Sequence, residues 1–218
     1  MHLPKVTRNL LWIIALVYLA QQFLGDALMP FMLWPLQAVF VGTGSDGLPV
    51  SMGFQPWQLL TYGFMHDPNG FGHLFFNGIA LYQFGGRLEE VWGGRRYLSF
   101  FLVCIIGAGI CQLAFMAWMP ETAGPTIGAS GGVYGLLMAY AMLFPRERVM
   151  LLIPPIPMSA RTLVIVFGAL SLLMGVTGTA GGIAHFAHLG GMLFGWLLIR
   201  YWRGQPPFTQ KRQGPWGV

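Results

Sequence analysis

The chain has 218 residues, of which 55% are hydrophobic and only 9% are charged, and its net charge is +5. A soluble domain usually carries about 25% charged residues, so this composition cannot cover a surface that faces water. It excludes a separate soluble catalytic or binding domain and predicts a membrane protein with about six crossings. The basic residues are scattered in ones and twos, a pattern that gives no support for a nucleic-acid partner.

Stretches without charge place the crossings along the chain. The first, at 10–24, fits an uncleaved membrane span better than a signal peptide. Residues 29–68 then form one long loop, whose tryptophans and prolines are typical of the membrane interface. The remaining spans are predicted at 69–86, 97–120 and 122–145 and, within 162–199, on either side of a glycine-rich turn at 175–182.

The apolar segment 149–160 contains Pro154, Pro155 and Pro157 and is too short to cross, so it is predicted to be an interfacial loop. The sequence therefore predicts an all-α polytopic membrane protein with six transmembrane helices and an interfacial loop between the first and second. Residues 1–203 would form this six-helix membrane domain, and residues 204–218 a disordered cytoplasmic tail.

The distribution of charge predicts the orientation of these spans. With the N-terminus inside, all 12 lysines and arginines fall on inner segments. Four of the seven acids fall on outer segments. This is the arrangement that the positive-inside rule describes, so both termini are predicted to be cytoplasmic. The basic inner rim suits a bacterial inner membrane.

No Asp, Glu, Lys or Arg lies within a predicted span, which argues against a transporter. The polar side chains that remain include Ser130, His188 and His73. At about 1.5 Å per helical residue, each lies about 17 to 22 Å above the inner end of its span, in a core about 30 Å thick. Three residues distant in sequence thus share one depth in the outer half of the membrane.

Ser130 lies in the pattern G-x-S-x-G at 128–132, which presents a nucleophilic serine where a turn enters a helix. Pro125 favours a helix beginning nearby, with free amides that can donate to an oxyanion. A serine among glycines can also be a simple packing residue, so the pattern alone is weak evidence.

His188 is the predicted base for this serine, because a hydroxyl needs an imidazole within hydrogen-bond reach to become a nucleophile. The spans of both residues carry glycines at the G-x-x-x-G spacing, which lets two helices approach backbone to backbone. These are Gly131, Gly135, Gly191 and Gly195. No acid lies at this depth, so the sequence predicts a Ser–His dyad.

His73 and Asn77 are four residues apart and lie on one helix face. Their side chains could join the Ser130 amide as donors of an oxyanion hole; polar contacts between helices are the alternative role, and the two roles can coexist. His185 is one turn nearer the outer surface than His188. It is predicted to face headgroups or water and to have no catalytic role.

Together these motifs resemble the rhomboid family of intramembrane serine proteases, in its six-span prokaryotic form. The matching features are His73-x-x-x-Asn77, Gly85 followed by Glu89 or Glu90 and Gly93, Gly128-x-Ser130-Gly131-x-x-Tyr134, Ile156-Pro157 and His185-x-x-His188-Leu189-x-Gly191. One departure is Gln58 after Trp57, where many members have arginine, so the anchoring of the outer loop is expected to differ.

The resemblance implies Ser130 as nucleophile, His188 as general base, and His73, Asn77 and the Ser130 amide as oxyanion hole. It implies that Tyr134 packs against the catalytic imidazole and that Gly128 supports the site. The fifth span and outer loops would gate the entry of a substrate helix. Substrates would be single-span membrane proteins that are cut near their outer end. The reaction would use no metal or other cofactor.

Two other interpretations remain. His73, His185 and His188 could bind zinc, although no carboxylate in the spans could then act as a base. Alternatively, the chain could be a non-catalytic membrane protein, either an inactive relative that binds client helices or a small transporter.

Overall fold

The computed structural model describes residues 3–44, 47–151, 155–179 and 184–208, and within them the protein is mainly helical. The α-helices are α1 (Lys5–Leu24), α2 (Gln58–Thr61), α3 (Phe71–Ala80), α4 (Gly86–Trp92), α5 (Gly94–Trp118), α6 (Ser130–Leu143), α7 (Ala160–Thr177) and α8 (His185–Trp202). A π-helical turn, Leu81–Gly85, joins α3 to α4 in one continuous run. Gly93, at φ 76°, then turns the chain into α5.

The helical membrane fold predicted from composition is confirmed. Among the described residues, three segments are long and apolar enough to cross a bilayer, namely Lys5–Phe31, Gly94–Trp118 and Ala160–Thr177. Helix α6 is apolar but has only 14 residues. The count of six crossings stays a prediction.

The predicted fourth span at 122–145 is wrong at its outer end, because α6 begins only at Ser130. The residues before it are held extended: Leu33 and Thr126 exchange two backbone hydrogen bonds, of 3.0 and 2.9 Å. Gly128 adopts a φ of +126°, which L side chains rarely adopt. Hydropathy does not detect either constraint, so it extended the span by eight residues.

Two short hairpins lie outside the bundle. In the long loop, β1 (Val39–Thr43) pairs with β2 (Pro49–Met52), and between α6 and α7, β3 (Arg148–Met150) pairs with β4 (Pro157–Ser159). The second hairpin occupies the predicted interfacial loop, although Leu152–Pro154 are outside the described residues. Residues 180–183, in and after the predicted glycine-rich turn, are also outside the described residues, as are residues 209–218 of the predicted tail.

Helix α8 packs against both α5 and α6, with glycines at the closest points. A Cβ added to Gly191 would overlap the Gly131 carbonyl, and one added to Gly195 would lie 3.2 Å from the Gly135 carbonyl. The predicted backbone-to-backbone approach of these two helices is therefore present. It brings the beginning of α6 against the first turns of α8.

The long loop is anchored by Gln58, which is 1% exposed. Its Oε1 accepts from the backbone N–H groups of Trp34 and Gln55, each at 3.1 Å. Its Nε2 donates to the carbonyls of Pro30, at 3.1 Å, and Gly53, at 3.5 Å. One buried amide thus connects three parts of the loop, at the position where the family resemblance led us to expect arginine.

Candidate active site

The centre of the site is a direct contact between α6 and α8. Ser130 is the first residue of α6, and its Oγ lies 2.8 Å from Nε2 of His188, which stands in the first turns of α8. This is the distance at which an imidazole can accept the proton of a hydroxyl. The structure thus brings together the two residues that the sequence predicted to form a dyad, 58 positions apart.

Tyr134 fixes the plane of the imidazole. Its ring stacks on that of His188 with centroids 4.1 Å apart and an angle of 10° between the planes. It lies one turn after Ser130 on the same face of α6, so a single helix presents both the hydroxyl and the stacking ring. Ser171 of α7 lies 3.4 Å from the Tyr134 hydroxyl, a long contact that connects α7 to the site.

The other nitrogen of His188, Nδ1, is buried and has no hydrogen-bond partner within the described residues. The carboxylate of a catalytic triad would occupy that position. The stack with Tyr134 and the burial of the ring restrict the imidazole, and the Ser–His dyad stays a prediction.

The start of α6 provides donors beside the hydroxyl. The first backbone hydrogen bond of the helix runs from the Val133 N–H to the Ala129 carbonyl at 3.0 Å. The N–H groups of Ser130 and the next two residues come before this bond, where a helix provides no acceptor of its own. The Gly128 N–H donates to the Tyr62 carbonyl at 3.0 Å and holds the approach to the helix in place. Free amides next to a nucleophile can stabilise an oxyanion.

His73 points toward the same place. A Cβ added to Gly128 would lie 2.7 Å from His73 Nε2 and 3.6 Å from Ser130 Oγ, so only glycine leaves the imidazole room there. The Asp67 N–H donates to His73 Nδ1 at 3.4 Å. In a neutral imidazole whose Nδ1 accepts, Nε2 carries the hydrogen. His73 therefore presents an N–H donor beside the serine.

Asn77 is 6% exposed and lies one turn after His73. Its Nδ2 donates to the His73 carbonyl at 3.0 Å, which uses one of the two hydrogens on that nitrogen. The second hydrogen is available to another acceptor. The structure gives no direct contact between Asn77 and Ser130 among the described residues.

Two further histidines are buried near the site. His185 is 7% exposed, so the prediction that it faces headgroups or water is wrong; its ring packs edge-on to His188, with centroids 6.1 Å apart. His66, in the loop before α3, has no exposed surface, and its ring lies 5.0 Å from that of His73. Burial, aided by His73, lowers the pKa of His66 to about 4.

Two further residues support the site indirectly. Gln21 of α1 exchanges two hydrogen bonds, of 2.8 and 2.9 Å, with the backbone of His66 and so attaches the loop to the first helix. Glu89 accepts from the backbone N–H groups of Val6 and Thr7 and from the Thr7 hydroxyl, at the start of α1. Hydropathy reveals neither contact, because both join segments that are distant in sequence.

The alternative of a three-histidine zinc site has no support from the described part of the chain, where no three side chains of the metal-binding types converge. His188 Nε2 is engaged with Ser130, and His73 Nδ1 with a backbone amide.

These features define a polytopic helical membrane protein whose helices bring a serine hydroxyl against an imidazole within an apolar bundle. The chain belongs to the rhomboid family, since the sequence model of the Rhomboid domain matches residues 53–204. It is an integral membrane protein.

Relatives come from bacteria and from mitochondria. The chain is 30% identical to Rhomboid protein 1, mitochondrial, of Saccharomyces cerevisiae over 67% of its length and 43% of the yeast protein. It is 30% identical to Rhomboid protease GluP of Bacillus subtilis over 65% of its length and 25% of that protein. It is 27% identical to Rhomboid protease GlpG of Yersinia pestis over 85% of its length and 58% of that protein. The chain thus spans between a quarter and three fifths of these relatives.

Proposed function

We propose that the protein is an intramembrane serine endopeptidase that cleaves the transmembrane segments of single-span membrane proteins near the outer face of the bilayer. The observation that carries this proposal is the 2.8 Å contact between Ser130 Oγ and His188 Nε2. Two of the relatives described above are named as rhomboid proteases, which supports the same activity.

In the proposed reaction, His188 Nε2 takes the Ser130 proton as Oγ attacks the carbonyl carbon of the scissile bond. The imidazolium then gives this proton to the leaving amine, and the C–N bond breaks. Water, activated by the same imidazole, hydrolyses the acyl-serine. Tyr134 keeps the ring in one plane during both proton transfers.

The oxyanion of the tetrahedral intermediate would be held by the Ser130 amide, by His73 Nε2–H and by the free hydrogen of Asn77 Nδ2. Gly128 supports this arrangement because it leaves room for the imidazole of His73. One such donor typically contributes about 10²- to 10³-fold to the rate. Asn77→Ala should therefore retain measurable activity, whereas Ser130→Ala should not.

We further propose six crossings with both termini in the cytoplasm of a bacterium, residues 1–203 forming the membrane domain and 204–218 a disordered tail. The distribution of all 12 basic residues supports this topology. Reporter fusions after Gly44 and after Arg203 should report opposite sides of the membrane.

The test is in-gel labelling of the purified full-length chain with a fluorophosphonate, which bonds covalently only to an activated serine. Wild type should be labelled, and Ser130→Ala and His188→Ala should not. Ser99→Ala is the matched serine control, because its hydroxyl donates to its own helix at Arg95, and it should label normally. Absence of labelling in folded wild type would favour a helix-binding protein without catalysis.

The substrate class is tested separately in proteoliposomes. A single-span protein with a small residue and a helix-breaking residue near its outer end should be cut there, as read by mass spectrometry of the products. Labelling of Ser130 without such cleavage would retain the hydrolase chemistry and reject the proposed substrate class.

A further inference from the structure

An open groove of about 640 Å³ lies where α6 ends and α7 begins. Since α6 starts at Ser130 and has 14 residues, the groove is about 20 Å from the serine, at the other end of the helix. Its lining includes Arg146, Arg148 and Arg161, together with Ser159 and Thr162. The proposed reaction uses none of these residues.

The fold brings the three arginines together. Arg148 of β3 is the direct cross-strand partner of Ser159 of β4, so their side chains share one face of the hairpin. The Arg161 N–H donates to the Pro145 carbonyl at 3.3 Å, which places the first turn of α7 beside Arg146. Positive charges 15 residues apart in sequence thus line one groove.

These charges have no protein counter-ion within the described ranges, where the ion pair found is Arg87 with Glu90. Glu147 lies between two of the arginines in sequence but does not line the groove. Three like charges around one space repel one another, and a bound anion would offset that repulsion. A guanidinium is suited to this role because its planar donors match the oxygens of a phosphate.

The groove also holds a hydroxyl with an unused hydrogen. Ser159 Oγ accepts from the Thr162 N–H at 3.1 Å, and the two side-chain oxygens lie 2.8 Å apart. Whichever hydroxyl donates in that pair, the other retains its own hydrogen for a ligand. The site therefore offers three guanidinium groups and one hydroxyl donor.

We propose that this groove binds the phosphate of an anionic phospholipid. The groove adjoins the inner ends of two apolar helices, on the side where the sequence places all the basic residues, and cytoplasmic leaflets are rich in anionic lipid. Arg161, Ile165 and Leu172 lie on one face of α7, and the latter two are exposed. The headgroup binds the arginines while an acyl chain follows this apolar face.

The experiment is native mass spectrometry of the full-length chain in detergent, titrated with dioleoylphosphatidylglycerol or dioleoylphosphatidylcholine. One phosphatidylglycerol should bind more tightly than phosphatidylcholine. At about fivefold per lost charge, Arg148→Gln with Arg161→Gln should weaken this binding roughly 25-fold. The matched control, Arg95→Gln with Arg203→Gln, removes the same charge elsewhere on the inner side and should change it less than twofold.

The double variant Ser159→Ala with Thr162→Val removes both hydroxyls without a change of charge and should weaken phosphatidylglycerol binding several-fold. Thermal unfolding in detergent alone checks that each variant is folded. Equal weakening in the control pair would overturn the proposal, because the lipid would then be attracted by the overall positive charge and not by the groove. Displacement of the lipid by millimolar inorganic phosphate would overturn the lipid assignment in favour of a soluble anion. The proposal stands whether or not Ser130 is a nucleophile.

Discussion

Gly191→Ala tests how strictly the proposed chemistry depends on the close crossing of α6 and α8. A Cβ at this position would overlap the Gly131 carbonyl, which adjoins Ser130 in the chain. A backbone carbonyl cannot rotate aside as a side chain can, and non-bonded atoms settle roughly 3.5 Å apart, so the helices must separate by about 1 Å or more. Displacing reacting groups by about 1 Å costs on the order of 10²-fold in rate.

A graded series of glycine substitutions gives the prediction its controls. At Gly195 the added Cβ would meet Phe100 at 3.1 Å and the Gly135 carbonyl at 3.2 Å, so a smaller loss is expected. At Gly78, a helical glycine of α3, the nearest atom would be a Leu11 methyl at 3.8 Å, an ordinary contact. Gly78→Ala should therefore react like wild type.

The assay is the initial rate of fluorophosphonate labelling of Ser130, with cleavage of a single-span substrate as a second readout. Thermal unfolding shows whether a slow variant is still folded, and if Gly191→Ala does not fold, Gly195→Ala carries the test. A Gly191→Ala protein that reacts at the wild-type rate would refute the reasoning. So would a loss in Gly78→Ala as large as that in Gly191→Ala.

Three further changes probe the supports of the site. Gln58→Ala leaves two backbone donors unpaired and should lower the free energy of unfolding by at least about 2 kcal/mol. The measurement is thermal unfolding, and the control is Gln22→Ala, which removes an exposed hydrogen bond. Glu89→Gln should lower the free energy of unfolding by about 1.5 to 3 kcal/mol, because it weakens the cap on α1. Glu90→Gln, which breaks an exposed ion pair, should lower it by at most about 1 kcal/mol. Equal losses of stability in the two variants would contradict the capping role of Glu89. The pKa of His66 in the folded protein is about 4, below its ordinary value of 6.5. As the pH falls, the unfolded chain therefore binds a proton before the folded chain does. The free energy of unfolding should decrease by about 3 kcal/mol between about pH 6.5 and pH 4. His66→Gln should flatten that dependence, and an unchanged slope would show that His66 does not cause it.

The residues proposed for catalysis could be found from sequence because each obeys a local rule. Membrane depth follows from counting helical residues to a charged end, which placed Ser130 and His188 together. Glycine spacing predicted the approach of their helices. Both rules depend only on a regular helix and a membrane of known thickness. The structure shows the close approach of α6 and α8 and the contact between Ser130 and His188, and the shared depth stays a prediction.

The rest of the site depends on contacts that no local rule contains. The start of α6 is set by hydrogen bonds from the long loop to Thr126, which hydropathy cannot register. The burial of His185 depends on the packing around the first turn of α8, where position along a span predicts only depth. Glu89 caps a helix that lies more than 80 residues earlier in the chain.

These long-range contacts make the long loop part of the site. Gln58 holds the N–H of Trp34, and the preceding residue, Leu33, forms the two-bond bridge to Thr126. Four residues later α6 begins, and its first residue is Ser130. Because this path consists of buried or backbone hydrogen bonds, a shift of the loop reaches the serine without passing through α8. Gln58→Ala should therefore slow the labelling of Ser130 by more than its loss of global stability explains. Glu89→Gln, which acts on α1, should lower stability but leave the labelling rate of the folded protein unchanged.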